Sequence, residues 1–316
     1  MENQDLRHIL EAQQFNLEFM KEIFEEADGL REEVEKKNHL GIFKTARNLQ
    51  GRTMLSVFYE PSTRTRTSFV LAGQRLGMNV CWTENAKEFS STVKGETLED
   101  TIRVLCEYYP DVIVLRHHET GAAARAAAVS SVPIINAGDG KGQHPTQALL
   151  DIYTIKQCLS RIDGITVMMV GDLLNGRTVR SLAYLLAKFK KVRIIFSSPE
   201  NLAIGGDILA YLEKKEVEVE IVNYFWPDLE EVDVIYETRI QKERGSEMSG
   251  ESERQFSLTP EKMASLKSSA IVLHPLPRNH EISPEVDLDP RAKYFRQAGN
   301  GMFIRMALLK WVLRSL

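Results

Sequence analysis

The sequence predicts an α/β protein with two domains, each built on a parallel sheet. Short apolar runs alternate with helical patterns along the 316 residues, and this alternation is typical of parallel α/β sheets. The length fits two domains of roughly 150 residues each. A glycine-rich loop at residues 138–142 opens a long helix, and we place the crossing between the domains there.

The individual elements follow from apolar periodicity and from turn residues. In the first half, residues 4–37 predict two helices. Further helices are expected from the turn at 62–66 to about residue 76, at 97–109 and at 121–130, with strands at 54–58, 80–82, 111–116 and 132–136. In the second half, helices are expected at 148–159, 178–189 and 302–316, strands at 165–170, 192–196, 217–222, 232–236 and 270–273, and a charged, serine-rich loop at 241–260.

Composition excludes several classes of protein. The formal net charge of -4 gives no basic excess for nucleic acid, and no apolar run approaches the roughly 20 residues of a membrane-spanning helix. The N-terminus lacks the pattern of a signal peptide, so a cytoplasmic location is expected. The three separated cysteines indicate neither a disulfide framework nor a zinc cluster. His117 and His118 would face opposite sides of a strand, so no joint metal site is predicted.

Residues 58–69 link a predicted strand to a predicted helix through a turn rich in hydroxyl and guanidinium groups. Ser62, Thr63 and Thr65 offer hydroxyl donors, and Arg64 or Arg66 offers a planar fork that suits phosphate oxygens. A helix start also presents unpaired backbone N–H groups to an anion. The turn is therefore a candidate phosphate site, and an ordinary polar helix cap is the competing interpretation.

Other polar groups also follow strand ends, where ligands bind in open α/β sheets. They are Arg116, His144, Gln147, Arg177, Arg239 and the loop 276–278. Each could be an ordinary surface or capping residue, but together they predict a cationic cleft between the domains for small ligands with several negative charges.

Residues 171–178 nearly match the phosphate-binding pattern GxxxxGK[ST] of nucleotide-binding proteins, after a strand and before a helix. A nucleotide-binding switch or ATPase is therefore an alternative of a different class. Arg177 replaces the lysine of that pattern, and we interpret it as a carboxylate-binding group.

Seven stretches, in this order, resemble the catalytic chain of the aspartate carbamoyltransferases over nearly the full length. They are Ser62-Thr63-Arg64-Thr65-Arg66, Lys94-Gly95-Glu96-Thr97, residues 144–151, Gly176-Arg177-Thr178, residues 238–244 and His274-Pro275-Leu276-Pro277-Arg278, with residues 298–301 before the last helix. The resemblance implies two doubly wound parallel-sheet (Rossmann-like) domains. It implies a carbamoyl-phosphate-binding domain at 1–145, an aspartate-binding domain at 146–298, and a helix at 299–316 that returns to the first domain.

The resemblance also implies the reaction and the role of each residue. The carbamoyl group of carbamoyl phosphate is transferred to L-aspartate in pyrimidine synthesis, with no cofactor, metal or covalent nucleophile. The phosphate is held by Ser62, Thr63, Arg64, Thr65, Lys94 and a loop serine, Ser90 or its neighbour Ser91. The carbonyl oxygen is held by Thr65, Arg116 and His144, and the carbamoyl NH2 by Gln147, Leu276 and Pro277. The aspartate carboxylates are held by Arg177 and Arg239 with Gln241 and Lys94.

Two features favour aspartate over ornithine as the amine: the sequence His274-Pro275-Leu276-Pro277 and the second cation Arg239. Val93 departs from relatives that carry a lysine before Lys94. The resemblance implies a homotrimer in which Lys94 serves a neighbouring subunit. It leaves open whether the trimers stand alone, bind regulatory chains or join a dihydroorotase, and a non-catalytic homologue remains a further alternative.

Overall fold

A computed structural model describes residues 7–36, 49–83, 95–224, 229–241 and 255–314. The chain divides into two compact units. The first comprises residues 1–146 and 300–316, and the second comprises residues 147–299. Each unit contains one parallel sheet, which confirms the predicted fold class.

The first unit is organised around a four-stranded sheet in the order β2-β1-β3-β4. The strands are β1 (Thr53–Phe58), β2 (Asn79–Thr83), β3 (Val112–His117) and β4 (Ile134–Asp139), and all their pairings are parallel. The helices are α1 (Leu17–Lys36), α2 (Thr63–Arg75), α3 (Leu98–Cys106) and α4 (Ala122–Val129). The apolar residues of β3 are almost fully buried, as expected for a strand covered on both faces.

The second unit contains a five-stranded sheet in the order β7-β6-β5-β8-β9. Its strands are β5 (Thr166–Val170), β6 (Arg193–Ser197), β7 (Glu218–Val222), β8 (Val234–Glu237) and β9 (Ile271–Leu273). Its helices include α6 (Arg177–Leu186), α7 (Gly206–Lys214) and α8 (Pro260–Ala264). Helix α5 (Pro145–Leu159) starts in the first unit and continues into the second. Helix α9 (Tyr294–Leu313) starts in the second unit and continues into the first.

The strand order identifies one switch point in each sheet. In the first unit, β1 pairs with β2 on one side and with β3 on the other, and Phe58 is level with Arg116. In the second unit, β5 pairs with β6 and with β8, and Val170 is level with Glu237. Chain connections leave the sheet in opposite directions at such points, which opens a crevice at the carboxyl ends of the central strands.

The C-terminal helix returns to the first unit, as predicted. Its Trp311 lies edge-on to Phe19 of α1, and Arg305 donates a hydrogen bond to Ser68 Oγ of α2 at 2.7 Å. The helix begins at Tyr294, although the sequence pattern predicts a start at residue 302. Gly299 and Gly301 have a low helix propensity, but the helix continues through them because Asn300 is buried and accepts a hydrogen bond from Arg31.

Three further differences concern element bounds. The first of the two helices expected within residues 4–37 is a short 3-10 turn, Ala12–Gln14. Helix α7 was not predicted, since two adjacent glycines, Gly205 at its N-cap and Gly206 at its first position, break the periodic pattern at its start. Helix α5 begins at Pro145, three residues before the expected start, because proline suits the first turn of a helix. The expected loop at 241–260 falls mostly outside the described residues. Among the described helices, none has the length and apolarity to cross a membrane.

Candidate active site

The turn after β1 has the geometry of an anion site. Ser62 occupies the N-cap position of α2, yet within the described part of the chain its hydroxyl makes no capping hydrogen bond. Thr63 and Arg64 are exposed, Thr65 is buried, and the first helical turn carries no acidic side chain. Backbone N–H groups, hydroxyls and a guanidinium therefore share the start of this helix without a competing carboxylate in its first turn. This arrangement favours an anion site over an ordinary helix cap.

Arg116 lies beside this turn because β1 and β3 are neighbours in register. Its Nη1 donates a hydrogen bond to the Ala137 carbonyl at 3.2 Å, and its Nε lies 3.3 Å from Glu60 Oε2. Glu60 belongs to the same turn as Ser62, and it is not among the site residues that the sequence predicts. Its position directly before Pro61 at the strand end was the available signal. The pairing places a carboxylate next to the guanidinium that would otherwise face an anion.

His144 immediately precedes α5, and its side chain is buried. The loop before it is held by Asp139, whose Oδ1 accepts the Gln143 N–H at 2.7 Å and whose Oδ2 accepts the Gly121 N–H at 2.9 Å. Gly140 has a φ of +49°, and a Cβ there would lie 2.7 Å from the His118 carbonyl oxygen. A tightly bound loop thus fixes the imidazole at the start of a helix.

In the second unit, Arg177 and Arg239 follow the two strands at the switch point. Arg177 is the first residue of α6 after β5, and it is buried. Arg239 follows β8 by two residues. The two strands pair as far as Val170 and Glu237, so Arg177 and Arg239 both lie at the carboxyl ends of neighbouring strands. Two arginines at one strand edge suit a ligand with two carboxylates.

The turn between β5 and α6 is shaped by Asp172, which is fully buried. Its Oδ1 accepts the Asn175 N–H at 3.0 Å, and its Oδ2 accepts the Gln241 N–H at 3.3 Å. A phosphate-binding loop directs its N–H groups at the ligand. Here the Asp172 carboxylate already accepts from two backbone N–H groups, and one of them, that of Asn175, belongs to the loop 171–178. This geometry disfavours the nucleotide-binding alternative for residues 171–178.

Gln147, Leu276 and Pro277, the groups expected to hold a carbamoyl NH2, belong to the second unit. Gln147 lies in the first turn of α5 and donates from Nε2 to Asp151 Oδ1 at 2.9 Å. Leu276 has a φ of +55°, its N–H donates to His274 Nδ1 at 2.7 Å, and the Leu276–Pro277 peptide bond is cis. The expected residues Ser90 and Lys94 lie outside the described residues.

The expectation that His117 and His118 face opposite sides of a strand was wrong. Their rings stack with centroids 4.3 Å apart, because β3 ends at His117 and the strand alternation does not extend to His118. With Glu119 they form a cluster whose potential ligand atoms lie within 4.8 Å of one another. However, His117 Nδ1 accepts the Glu119 N–H at 3.1 Å, and the Glu119 carboxylate accepts from Arg125 at 2.9 Å. The side chains of His117 and Glu119 therefore already make hydrogen bonds within the protein, and we interpret the cluster as a hydrogen-bonded end of β3.

An α/β fold with hydroxyl, imidazole and guanidinium groups at its strand ends defines a protein that binds small anions. Residues 7–157 match the family model described as aspartate/ornithine carbamoyltransferase, carbamoyl-P binding domain. Residues 163–312 match the model described as aspartate/ornithine carbamoyltransferase, Asp/Orn binding domain. The chain belongs to the aspartate/ornithine carbamoyltransferase family.

Individual relatives agree with this assignment. Aspartate carbamoyltransferase 1, chloroplastic, from pea (Pisum sativum) is 51% identical over 98% of this chain and 79% of its own length. The catalytic subunit of M. jannaschii aspartate transcarbamoylase is 42% identical, with a TM-score of 0.87 over 98% of each chain. Trypanosoma cruzi aspartate transcarbamoylase in complex with carbamoyl phosphate and aspartate is 39% identical, with a TM-score of 0.88 over 97% of this chain and 95% of that chain.

Proposed function

We propose that this chain is an aspartate carbamoyltransferase. It transfers the carbamoyl group of carbamoyl phosphate to the α-amino group of L-aspartate and forms N-carbamoyl-L-aspartate and phosphate, an early step of pyrimidine synthesis. The observation that carries this proposal is the pair Arg177 and Arg239 at the switch point of the second sheet. L-Aspartate presents two carboxylates to two guanidiniums, whereas the side-chain ammonium of ornithine would be repelled there.

The proposed mechanism relies on orientation and on electrostatic stabilisation. The start of α2, with Ser62, Thr63, Arg64 and Thr65, binds the phosphate group and stabilises its charge as it leaves. Arg116, His144 and Thr65 donate hydrogen bonds to the carbonyl oxygen, which becomes an oxyanion when the amine attacks. Collapse of this tetrahedral intermediate breaks the bond from carbon to the phosphate oxygen. The attacking amine loses a proton, and the departing phosphate, which becomes more basic as the bond breaks, takes it up.

The remaining groups position the two substrates. Gln147 and the backbone carbonyls of Leu276 and Pro277 accept hydrogen bonds from the carbamoyl NH2. Arg177, Arg239 and Gln241 bind the aspartate carboxylates. In a homotrimer with shared sites, Lys94 and Ser90 of a neighbouring subunit complete the phosphate and aspartate contacts. The cytoplasmic location stays a prediction, and the chloroplastic location in the name of the pea protein belongs to that protein.

The direct test measures the carbamoylated product formed by purified protein from each amine: N-carbamoyl-aspartate from L-aspartate and citrulline from L-ornithine. We expect turnover with aspartate and none above background with ornithine. Turnover of ornithine alone would contradict the proposal, because it would mean that Arg177 and Arg239 do not select a dicarboxylate.

The Arg239→Lys variant tests the assignment of the aspartate carboxylates. Lysine keeps the charge but loses the planar fork, so we expect the KM for aspartate to rise by about tenfold or more. The KM for carbamoyl phosphate should change by less than about threefold, since its phosphate contacts lie elsewhere. Arg180→Lys is the matched control, because Arg180 pairs with Asp207 on the surface. Equal losses for both substrates would contradict the assignment.

A further inference from the structure

We infer that Asp151 is a positioning residue that fixes the Gln147 amide with its oxygen toward the carbamoyl NH2. This orientation makes the protein prefer carbamoyl phosphate over acyl phosphates that lack the NH2 group. The inference rests on the proposed function and concerns residues of the second unit alone.

The side-chain amide of Gln147 has two ends of nearly equal shape but opposite hydrogen-bonding character. Asp151 lies one helical turn further along α5, is fully buried, and accepts from Gln147 Nε2 at Oδ1 over 2.9 Å. An ionised carboxylate can only accept hydrogen bonds, so it binds the NH2 end of the amide. The Gln147 oxygen is then the end left to meet the ligand, and it can accept from the carbamoyl NH2.

Asp151 is itself held from two further directions. Gln297 Nε2 donates to the same Oδ1 at 2.6 Å, and the Tyr236 hydroxyl donates to Oδ2 at 2.8 Å. Burial, together with the charge of Asp151, raises the pKa of Tyr236 well above its ordinary value, so the phenol remains a donor. Three donors around one buried carboxylate prevent it from rotating away from Gln147.

The same network reaches Leu276, the other group assigned to the NH2. Gln297 Oε1 accepts the backbone N–H of His274 at 2.8 Å, which fixes the direction of the Gln297 amide. His274 Nδ1 in turn accepts the Leu276 N–H at 2.7 Å. The Gln147 side chain and the Leu276 backbone are therefore linked through Asp151, Gln297 and His274. Loss of Asp151 should affect recognition of the NH2 group rather than of the phosphate.

The test is the isosteric variant Asp151→Asn, assayed with two ligands. Asparagine can donate as well as accept, so Gln147 can turn its NH2 toward the NH2 of the ligand. We expect the affinity for carbamoyl phosphate to fall by about tenfold. Inhibition by acetyl phosphate, which carries a methyl group in place of NH2, should change by less than about twofold. In a Gln147→Ala background, Asp151→Asn should cause no further loss for carbamoyl phosphate.

Three results with Asp151→Asn would overturn the inference. They are an unchanged affinity for carbamoyl phosphate, equal losses of affinity for carbamoyl phosphate and acetyl phosphate, or an equally large loss of carbamoyl phosphate affinity in the Gln147→Ala background. If Asp151→Asn does not fold, Gln297→Leu tests the same network. It removes one donor to Oδ1 and the link to His274, and we expect a smaller loss that is again selective for carbamoyl phosphate. Equal or absent losses in that variant would also overturn the inference.

The outcome is separable from that of the proposed function. If the wild-type protein forms no N-carbamoyl-aspartate, the proposed function fails. Calorimetric titration with carbamoyl phosphate and acetyl phosphate would still compare binding in the wild-type protein and in Asp151→Asn.

Discussion

At the scale of single residues, His117 makes the free energy of unfolding depend on pH. Its ring is buried at the end of β3, with the Tyr59 ring 4.6 Å away and the His118 ring stacked on it. Burial, followed by the charge of His118, lowers the pKa of His117 from 6.5 to about 4, and Glu119 and Glu60 oppose this shift without cancelling it. Between these two pH values the unfolded chain binds a proton that the folded protein does not. The free energy of unfolding therefore decreases as the pH falls through this window.

We expect His117→Asn to reduce this acid sensitivity. Asparagine Oδ1 can replace His117 Nδ1 as the acceptor for the Glu119 N–H, and it does not titrate. Between pH 6.5 and 4, urea unfolding should show that the wild-type protein loses up to about 3 kcal/mol more than the variant. His280→Asn is the control, since His280 is exposed and belongs to the second unit. Parallel stability curves for the wild type and His117→Asn would rule out His117 as the titrating group.

The strand-end positions of several candidate site residues could be predicted because each residue follows an apolar strand pattern. Arg116, Arg177 and Arg239 are examples, since a charge after a buried run marks a strand end. The partner of Arg116 could not be predicted. Glu60 meets it only because Phe58 and Arg116 are level in the sheet, and strand register depends on tertiary pairing that periodicity does not contain.

At the scale of elements, the turn from β5 to α6 depends on Gly171. Its φ is +106°, and a Cβ there would lie 2.2 Å from the Thr238 carbonyl oxygen. We expect Gly171→Ala to lower the free energy of unfolding by about 2 kcal/mol or more, because backbone must move and the φ is unfavourable for alanine. The backbone of Thr238 would have to move to make room for the Cβ. Because Thr238 directly precedes Arg239, the KM for aspartate should also rise.

The matched control for this turn is Gly206→Ala at the first position of α7. A Cβ there meets no heavy atom within 4 Å, and the backbone does not have a positive φ. The free energy of unfolding of the Gly206→Ala variant should stay within about 1 kcal/mol of the wild-type value or rise slightly. Urea denaturation and aspartate saturation curves provide both measurements. Similar effects of the two substitutions would show that the close approach at Gly171 is not the cause.

Strand bounds were predictable at this scale to within one or two residues in most cases, and the starts of α3, α4 and α6 to within one residue, but the starts of α5 and α9 were not. A buried parallel strand has a continuous apolar pattern that contrasts sharply with its polar ends. Helix α9 begins at Tyr294 despite Gly299 and Gly301, because packing around Asn300 outweighs the low helix propensity of glycine. The order of the strands, and so the two switch points, required the structure.

At the scale of the whole molecule, the proposed homotrimer makes each active site depend on two copies of the chain. His144 would act in its own subunit, and Lys94 would act in the site of a neighbour. The variants His144→Ala and Lys94→Ala should each be inactive alone. After dissociation, mixing and reassociation, every trimer that contains both variants has one site with an intact His144 from one chain and an intact Lys94 from the next.

Random mixing of equal amounts should therefore restore about one quarter of the wild-type activity, since about three quarters of the trimers are mixed and each has one complete site in three. Native mass spectrometry of mass-tagged chains verifies that mixed trimers have formed. A mixture of His144→Ala with the double variant His144→Ala/Lys94→Ala is the control and should remain inactive, because none of its sites contains His144. If verified mixed trimers of the two single variants show no activity, both residues act within one chain. The shared-site assembly would then be wrong, while the carbamoyl transfer reaction would be unaffected.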